Sequence, residues 1–329
     1  MKAEFNKLSG VIVGLGSIGN RHLNNCLELG VGQMSVVRRP NSNSQFSPPD
    51  EVSVVHSIAE ALQSKPDFAI VCNPSHLHAS TAIEFLEGNC HVLIEKPLGK
   101  TIGPDEQKLI EVSAQSDRIV AMAYCMRFHP VYARAKELVQ SGAIGRCLYA
   151  KAWFEGFLPD WHPWEDYKQS YAALPEQGGG VLRTLDHEMD FLNWVLGPAN
   201  TATGTAFNTQ GIGIEADDLA MYLMNHPGGT PSQITASFCR KPQSRGFEFV
   251  GSEGTLSFRH EEGTLWLSNH GSMPEPEIVA KTEDIPQMYV DLIAGFLSLL
   301  SGIEGTIVGR LQDGVNALHL IQQVQEVGK

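Results

Sequence analysis

The segment Val11-Ile12-Val13-Gly14-Leu15-Gly16-Ser17-Ile18-Gly19 constrains this chain more than any other. A short apolar run of strand type leads straight into G-x-G-x-x-G, and a helical pattern then runs from about Ile18 to Leu29, stopped by Gly30. Glycines at this spacing allow a tight turn and a close backbone approach, and the helix that follows presents free amides to an anion above it. Strand, turn and helix in this order are the context in which the spacing binds the pyrophosphate of a dinucleotide. Gly14, Gly16, Ser17, Ile18 and Gly19 are therefore candidate cofactor-binding residues, and an ordinary glycine turn is the plain alternative.

The same rhythm continues. Met34–Val37 reads as a strand, and Ser57-Ile58-Ala59-Glu60 as a capping box in which Glu60 reaches back to the Ser57 amide. Phe68–Cys72 reads as a strand and Ala79–Leu86 as a helix ended by Gly88. His91–Ile94 and Ile119–Ala123 are two further strands, with Pro104 starting the helix between them. Alternation of this kind requires a parallel sheet with right-handed crossovers.

After about Cys125 the pattern changes to a helix over Pro130–Ser141, a strand over Cys147–Phe154, an aromatic loop from Glu155 to Gly180 and a helix over Val181–Leu196. Strands separated by glycine turns follow (Gly228-Gly229, Gly251 to Gly254, Glu262-Gly263), then helical patterns over Met288–Leu300 and Leu311–Val327. Consecutive strands predict a mostly antiparallel sheet. The expected fold class is α/β: a Rossmann-like doubly wound parallel sheet over residues 1–124, and an α+β domain over 125–329 with an open, mostly antiparallel sheet.

A length of 329 residues suits two cores, and 24 basic against 37 acidic residues give a net charge of −13. That balance excludes nucleic acid and anionic membranes as the main partner. The six cysteines contain no Cys-x-x-Cys pair and read as reduced thiols; His76 and His78 lack a third ligand, so no metal site is expected. No apolar run reaches membrane-spanning length and the start Met1-Lys2-Ala3-Glu4 is polar, which predicts a cytoplasmic protein.

The end of the second strand bears on cofactor choice. A dinucleotide site selective for NAD places an acid there for the ribose 2′-hydroxyl, whereas this chain reads Val37-Arg38-Arg39-Pro40 with no acid until Asp50. Two guanidinium groups suit a 2′-phosphate, and one can stack on adenine. Arg38 and Arg39 thus favour NADP(H), with NAD(H) as the alternative and a solvated basic turn as the plain reading.

Glu95-Lys96-Pro97 closes the strand His91–Ile94, and Cys72-Asn73-Pro74-Ser75-His76-Leu77-His78 closes an earlier one. Together with the amino-terminal glycine turn these segments resemble the glucose-fructose oxidoreductase / inositol dehydrogenase / MocA family, which carries a strand-end Glu-Lys-Pro and a Pro-x-x-x-His. Arg127-Phe128-His129-Pro130, Gly178-Gly179-Gly180, the helix of His187 and Leu311-Gln312-Asp313-Gly314 extend the resemblance over essentially the whole chain. The resemblance implies an NAD(P)-dependent dehydrogenase or reductase acting on a hydroxyl or ketone of a sugar, sugar acid or sugar nucleotide, and a cis Lys96–Pro97 peptide. It also implies that Cys72, Asn73, Pro74, His78, Glu95, Lys96 and Arg127 line the cofactor.

The chemistry supports those positions. Oxidising a secondary alcohol needs a base for the hydroxyl proton and a donor for the oxygen as charge develops. Lys96, at a strand's carboxyl end where open parallel sheets bind ligands, fits the second role; without the family it reads as a surface lysine. His187 fits the first, since imidazole titrates near working pH. On a helical wheel Val181, Leu182, Leu185, Met189, Leu192 and Leu196 form one apolar stripe, and Arg183, Asp186, His187 and Asp190 group opposite, where Asp190 can orient the imidazole or the group is simply solvated. The family has an Asp three residues before this histidine and this chain has Thr184, which makes Thr184 the third catalytic candidate. Trp161, His162, Tyr167 and Arg245, with Lys96 and His187, are the expected substrate contacts, because aromatic faces stack on sugars and guanidinium groups bind anions. A homo-oligomer, dimer or tetramer, is expected. Two other readings stay open: an epimerase or glycosidase that retains its cofactor, and a dinucleotide-binding sensor without turnover.

Overall fold

The computed structural model describes residues 5–40, 45–161, 166–269, 271–303 and 307–327. The chain forms two units, Met1–Cys125 with Pro286–Val315, and Met126–Ile285 with Asn316–Lys329.

In the first unit β1 (Ser9–Val13) is followed by α1 (Ser17–Glu28), β2 (Gln33–Val37), β3 (Ser53–Val55), α2 (Ile58–Leu62), β4 (Phe68–Val71), α3 (His78–Glu87), β5 (His91–Ile94), α4 (Pro104–Gln115) and β6 (Val120–Met122). The strands lie in the order β6-β5-β4-β1-β2-β3, all parallel, and Gly309–Arg310 pairs antiparallel with the free edge of β6. Val11, Ile12, Phe68, Ile70, Val92 and Ile94 are fully buried because helices cover the sheet, which is why these strands read as continuous apolar runs. The edge strand β3 escaped the sequence reading because it is short and largely exposed. Ser57 caps α2 as expected, accepting from the Glu60 amide at 3.1 Å, but Glu60 returns to the His56 amide (2.9 Å) instead of that of Ser57. Pro104 opens α4.

The second unit contains α5 (Pro130–Gln140), β7 (Cys147–Phe157), α6 (Val181–Thr184), α7 (His187–Leu196), β8 (Thr201–Phe207), β9 (Leu219–Asn225), β10 (Pro231–Ser237), β11 (Cys239–Gly251), β12 (Gly254–Arg259), β13 (Thr264–Asn269) and β14 (Glu275–Val279). The sheet order is β14-β13-β12-β11-β7-β10-β9-β8, antiparallel except for the β7–β10 pair. One face carries the core: Tyr132 of α5 and Phe191 of α7 pack at 4.7 Å between ring centroids, and Phe191 lies 4.8 Å from Phe247, which meets Phe258 at 5.5 Å. On the other face Phe207, Tyr149, Met221 and Leu223 are exposed, beside the ion pairs Lys151–Glu248 and Arg240–Glu155.

The two architectures match the fold class read from the sequence. One element does not. The helix expected over Val181–Leu196 is broken, with Leu185 at φ −105°, ψ 44° between α6 and α7. Its polar side is not solvated: Thr184, Asp186, Glu188 and Asp190 are all buried. The wheel missed this burial because the groups that compensate Asp190 and Glu188, Arg127 and Arg245, come from elsewhere in the unit and leave no local signature. All six cysteines are free thiols. No helix among the described residues is long and apolar enough to cross a membrane.

Candidate active site

The glycine turn is set by close approach. A Cβ on Gly19 would sit 2.0 Å from the Gly14 carbonyl oxygen, and Gly14, at φ +91°, would press a Cβ to 3.0 Å from the Cys72 carbonyl oxygen. At Gly16 a Cβ would meet nothing within 4 Å, so the space beside the start of α1 is open, and no side chain caps that helix. An uncapped first turn beside open space fits a dinucleotide pyrophosphate. Among the sequence candidates, Gly14, Gly16, Ser17, Ile18 and Gly19 all belong to this turn and the first residues of α1.

Strand neighbours bring two further segments to the same edge. Val13 of β1 is in register with Val71 of β4, and Val71 with Ile94 of β5. Cys72-Asn73-Pro74 and Glu95-Lys96-Pro97 therefore leave the sheet next to the glycine turn. His78 ties them together: its Nδ1 lies 2.7 Å from the Pro97 carbonyl oxygen and its Nε2 2.7 Å from that of Asn73. Burial pulls this imidazole below its ordinary pKa, against the opposing pull of the two carbonyls. His78 is 2% exposed with both nitrogens engaged by backbone, so it shapes the two loops from behind. The Lys96–Pro97 peptide is cis, as the family resemblance implied. Arg38 follows β2 directly and donates to the Phe46 carbonyl at 3.2 Å, while Arg39 is exposed.

In the second unit Arg127 is buried and grips Asp190 with two nitrogens, Nε at 2.9 Å and Nη2 closer still. Asp190, expected to orient His187, thus has its carboxylate held by Arg127. Arg245 donates from Nε to Glu188 at 2.8 Å and stacks over Phe154 at 4.9 Å. Of the four guanidinium groups expected at cofactor or substrate, Arg127 and Arg245 are thus engaged by buried carboxylates of α7. His187, half-buried, is the first residue of that helix, and Thr184 the last of α6. Trp161 stacks on Phe154 (centroids 5.9 Å) and meets Phe238 edge-on, and Tyr167 donates its hydroxyl to the Ile212 carbonyl at 2.8 Å. His162 lies outside the described residues.

Sequence reasoning missed His22. It sits on α1, fully buried, with Nε2 2.7 Å from Glu95 Oε1. A signal was present: His22 falls on the same α1 face as Gly19, Leu23 and Cys26, where a polar residue needs a partner.

A glycine turn beside strand-end segments on a doubly wound sheet defines a dinucleotide-binding enzyme class, and comparison with known proteins narrows it. Residues 8–124 match the family model described as an oxidoreductase family with an NAD-binding Rossmann fold, and residues 132–257 match the GFO/IDH/MocA C-terminal domain. The chain belongs to the GFO/IDH/MocA family of oxidoreductases. Similar proteins include 1,5-anhydro-D-fructose reductase of Ensifer adhaerens, 25% identical over 269 residues that cover 79% of this chain and 77% of that enzyme. The scyllo-inositol 2-dehydrogenase (NAD(+)) of Bacillus subtilis is 27% identical over 217 residues, covering 63% of this chain and 59% of that one. Levoglucosan dehydrogenase, solved in complex with NADH and L-sorbose, has the same fold, with a TM-score of 0.83 at 17% identity over 97% of this chain and 96% of that one.

His129 caps α5, where its Nδ1 accepts from the Val131 amide at 3.3 Å. Burial lowers its pKa to about 4, with Arg245 and His260 adding to the effect and Asp284 opposing it. An unfolded histidine titrates near ~6.5, so between ~6.5 and ~4 the unfolded chain binds a proton that the fold refuses. The contribution is complete above ~6.5 and is lost progressively as pH falls towards ~4. Urea unfolding midpoints should therefore decline over that window. His129→Asn, which keeps an acceptor for the Val131 amide, should flatten the decline by up to about 3 kcal/mol. An unchanged slope in the variant would assign the acid sensitivity to other groups.

Proposed function

We propose that this chain transfers a hydride between a nicotinamide dinucleotide and a secondary hydroxyl or ketone on a sugar, sugar acid or sugar nucleotide. The observation that carries the reading is the meeting, at one edge of a parallel sheet, of the open glycine turn and the Glu95-Lys96-Pro97 segment, with His78 bonded to both neighbouring loops. The relatives' names point to cyclic polyols and anhydro sugars, which share a ring carbinol.

The bound nicotinamide supplies the hydride acceptor or donor. Lys96 hydrogen-bonds the reacting oxygen and stabilises negative charge as it develops. His187 takes the hydroxyl proton in oxidation and returns it in reduction. Thr184 stands where the family carries an acid, so it contributes a hydroxyl to that proton path in place of a carboxylate. Trp161, Tyr167 and Arg245, together with His162, serve the substrate side, with Arg245 held by Glu188. Arg127, through Asp190, fixes the first turns of α7.

The cofactor reading favours NADP(H). β2 pairs with β1, so Arg38 and Arg39 leave the sheet beside the glycine turn, where the adenosine ribose of a bound dinucleotide is placed by this fold. The exposed apolar face of the second sheet, with Phe207, Met221 and Leu223 at 43%, 45% and 55% exposure, supports assembly into a homo-oligomer through that face.

Three outcomes test these points. On a panel containing scyllo-inositol, levoglucosan and 1,5-anhydro-D-fructose with NADPH or NADH, Lys96→Met should lower kcat by about 100-fold or more while the protein still binds cofactor. Tight NADPH binding by the native chain with no turnover of any panel member would favour the sensor reading. Arg38→Asp should weaken NADPH by roughly tenfold or more and leave NADH affinity intact; unchanged NADPH affinity would remove the 2′-phosphate argument. Leu223→Asp should shift the light-scattering mass in solution towards a single chain, and an unchanged mass would place the oligomer contact elsewhere.

A further inference from the structure

We propose that His22 and Glu95 form a positioning couple for Lys96, so that the helix carrying the phosphate-binding turn also sets the lysine. The inference rests on the role given to Lys96 above. Glu95 uses both carboxylate oxygens. Oε1 lies 2.7 Å from His22 Nε2, and Oε2 accepts the backbone N–H of Lys96 at 3.1 Å. His22 projects from α1 one turn beyond Gly19 and is fully buried, and Glu95 is 8% exposed. Among the described residues Nδ1 of His22 has no hydrogen-bond partner, so Nε2 is the nitrogen that donates, and its acceptor is Glu95. The imidazole and the Tyr289 ring meet in an edge arrangement, with centroids 6.3 Å apart and planes at 61°.

The backbone around Lys96 is thus held on both flanks. The Glu95 carboxylate grips its N–H, and the carbonyl of the following residue, Pro97, lies against His78. Glu95 can curl back onto its neighbour's amide because Oε1 is anchored by α1. Without His22 the buried carboxylate loses its side-chain partner and no longer holds that curl. A buried ionisable pair is weak ground for stability, since apolar residues of similar volume often serve as well. Its placement immediately before the lysine, with one His22 nitrogen left unpartnered, fits a positional task better than a stabilising one.

The couple acts on Lys96 and leaves the glycine turn itself unchanged. Glu95→Gln presents an NH₂ to one of two donors, and His22→Leu removes the donor while filling the space. Each should lower kcat on the best panel substrate by about 10- to 100-fold, as small misplacements of reacting groups do, and in His22→Leu the dissociation constants of NADPH and NADH should stay within about threefold of native. His22→Gln, which restores an N–H donor, should recover most of the loss. Reductive ¹³C-methylation gives a second readout: the Lys96 dimethylamino resonance, assigned by its disappearance in Lys96→Met, should move in His22→Leu. Native kcat and an unmoved resonance in His22→Leu, alongside an inactive Lys96→Met, would overturn the couple and leave the reading of Lys96 standing. Native turnover in Lys96→Met would overturn both. If Glu95→Gln fails to fold, the His22→Leu and His22→Gln pair carries the same test.

Discussion

Residue 19 has no room for a side chain, and much of the first unit follows from that. With only a hydrogen on Gly19, α1 settles against the Gly14 carbonyl, and the adjoining turn runs along the Cys72 strand end. The close seat brings His22, one turn later, to 2.7 Å from Glu95, which directly follows β5, two places from β1 in the sheet. A bulkier residue at 19 would lift the helix and separate both the anion-binding amides and this hydrogen bond from the sheet edge. One steric requirement therefore governs the phosphate turn and the environment of Lys96 together.

The second unit is organised by a different constraint, the cost of burying charge. Asp186, Glu188 and Asp190 enter the interior within five residues, and Arg127 and Arg245 meet two of them. Removing one partner from such a pair leaves an uncompensated buried charge, which costs several kcal/mol, so the arginines hold the start of α7 firmly. His187 is the first residue of that helix and inherits this rigidity. The hydroxyl of Tyr222, raised well above its ordinary pKa by burial and then by Glu188 and Asp186, belongs to the same buried polar layer.

The sequence made some of this legible and hid the rest for physical reasons. The parallel sheet was readable because strands covered on both faces become continuous apolar runs, as in Phe68–Val71 and His91–Ile94. The glycine turn was readable because its demands fall on adjacent residues. The burial of Glu188 and Asp190 was not, because a wheel assumes that helix neighbours decide burial, and here arginines 57 and 63 positions away decide it. Trp161 and Tyr167 read as sugar contacts from residue type alone, while the stacking of Trp161 on Phe154 and the bond from Tyr167 to the Ile212 carbonyl, which hold the two rings, have no signature in the sequence. His22 was hidden for the converse reason: its position fell on a stripe that local pattern assigns to packing.

The order of strands also has a consequence for synthesis. β6 gains its outer neighbour only from Gly309–Arg310, and β7 is flanked by β10 and β11, which follow it by more than 70 residues. A nascent chain leaves the rim of β6 unpaired until Arg310 has emerged from the ribosome, and the second sheet cannot close around β7 until residue 251 is free. Pairings this distant along the chain slow closure and leave strand rims open to other molecules, so this protein is most vulnerable to aggregation while it is being made.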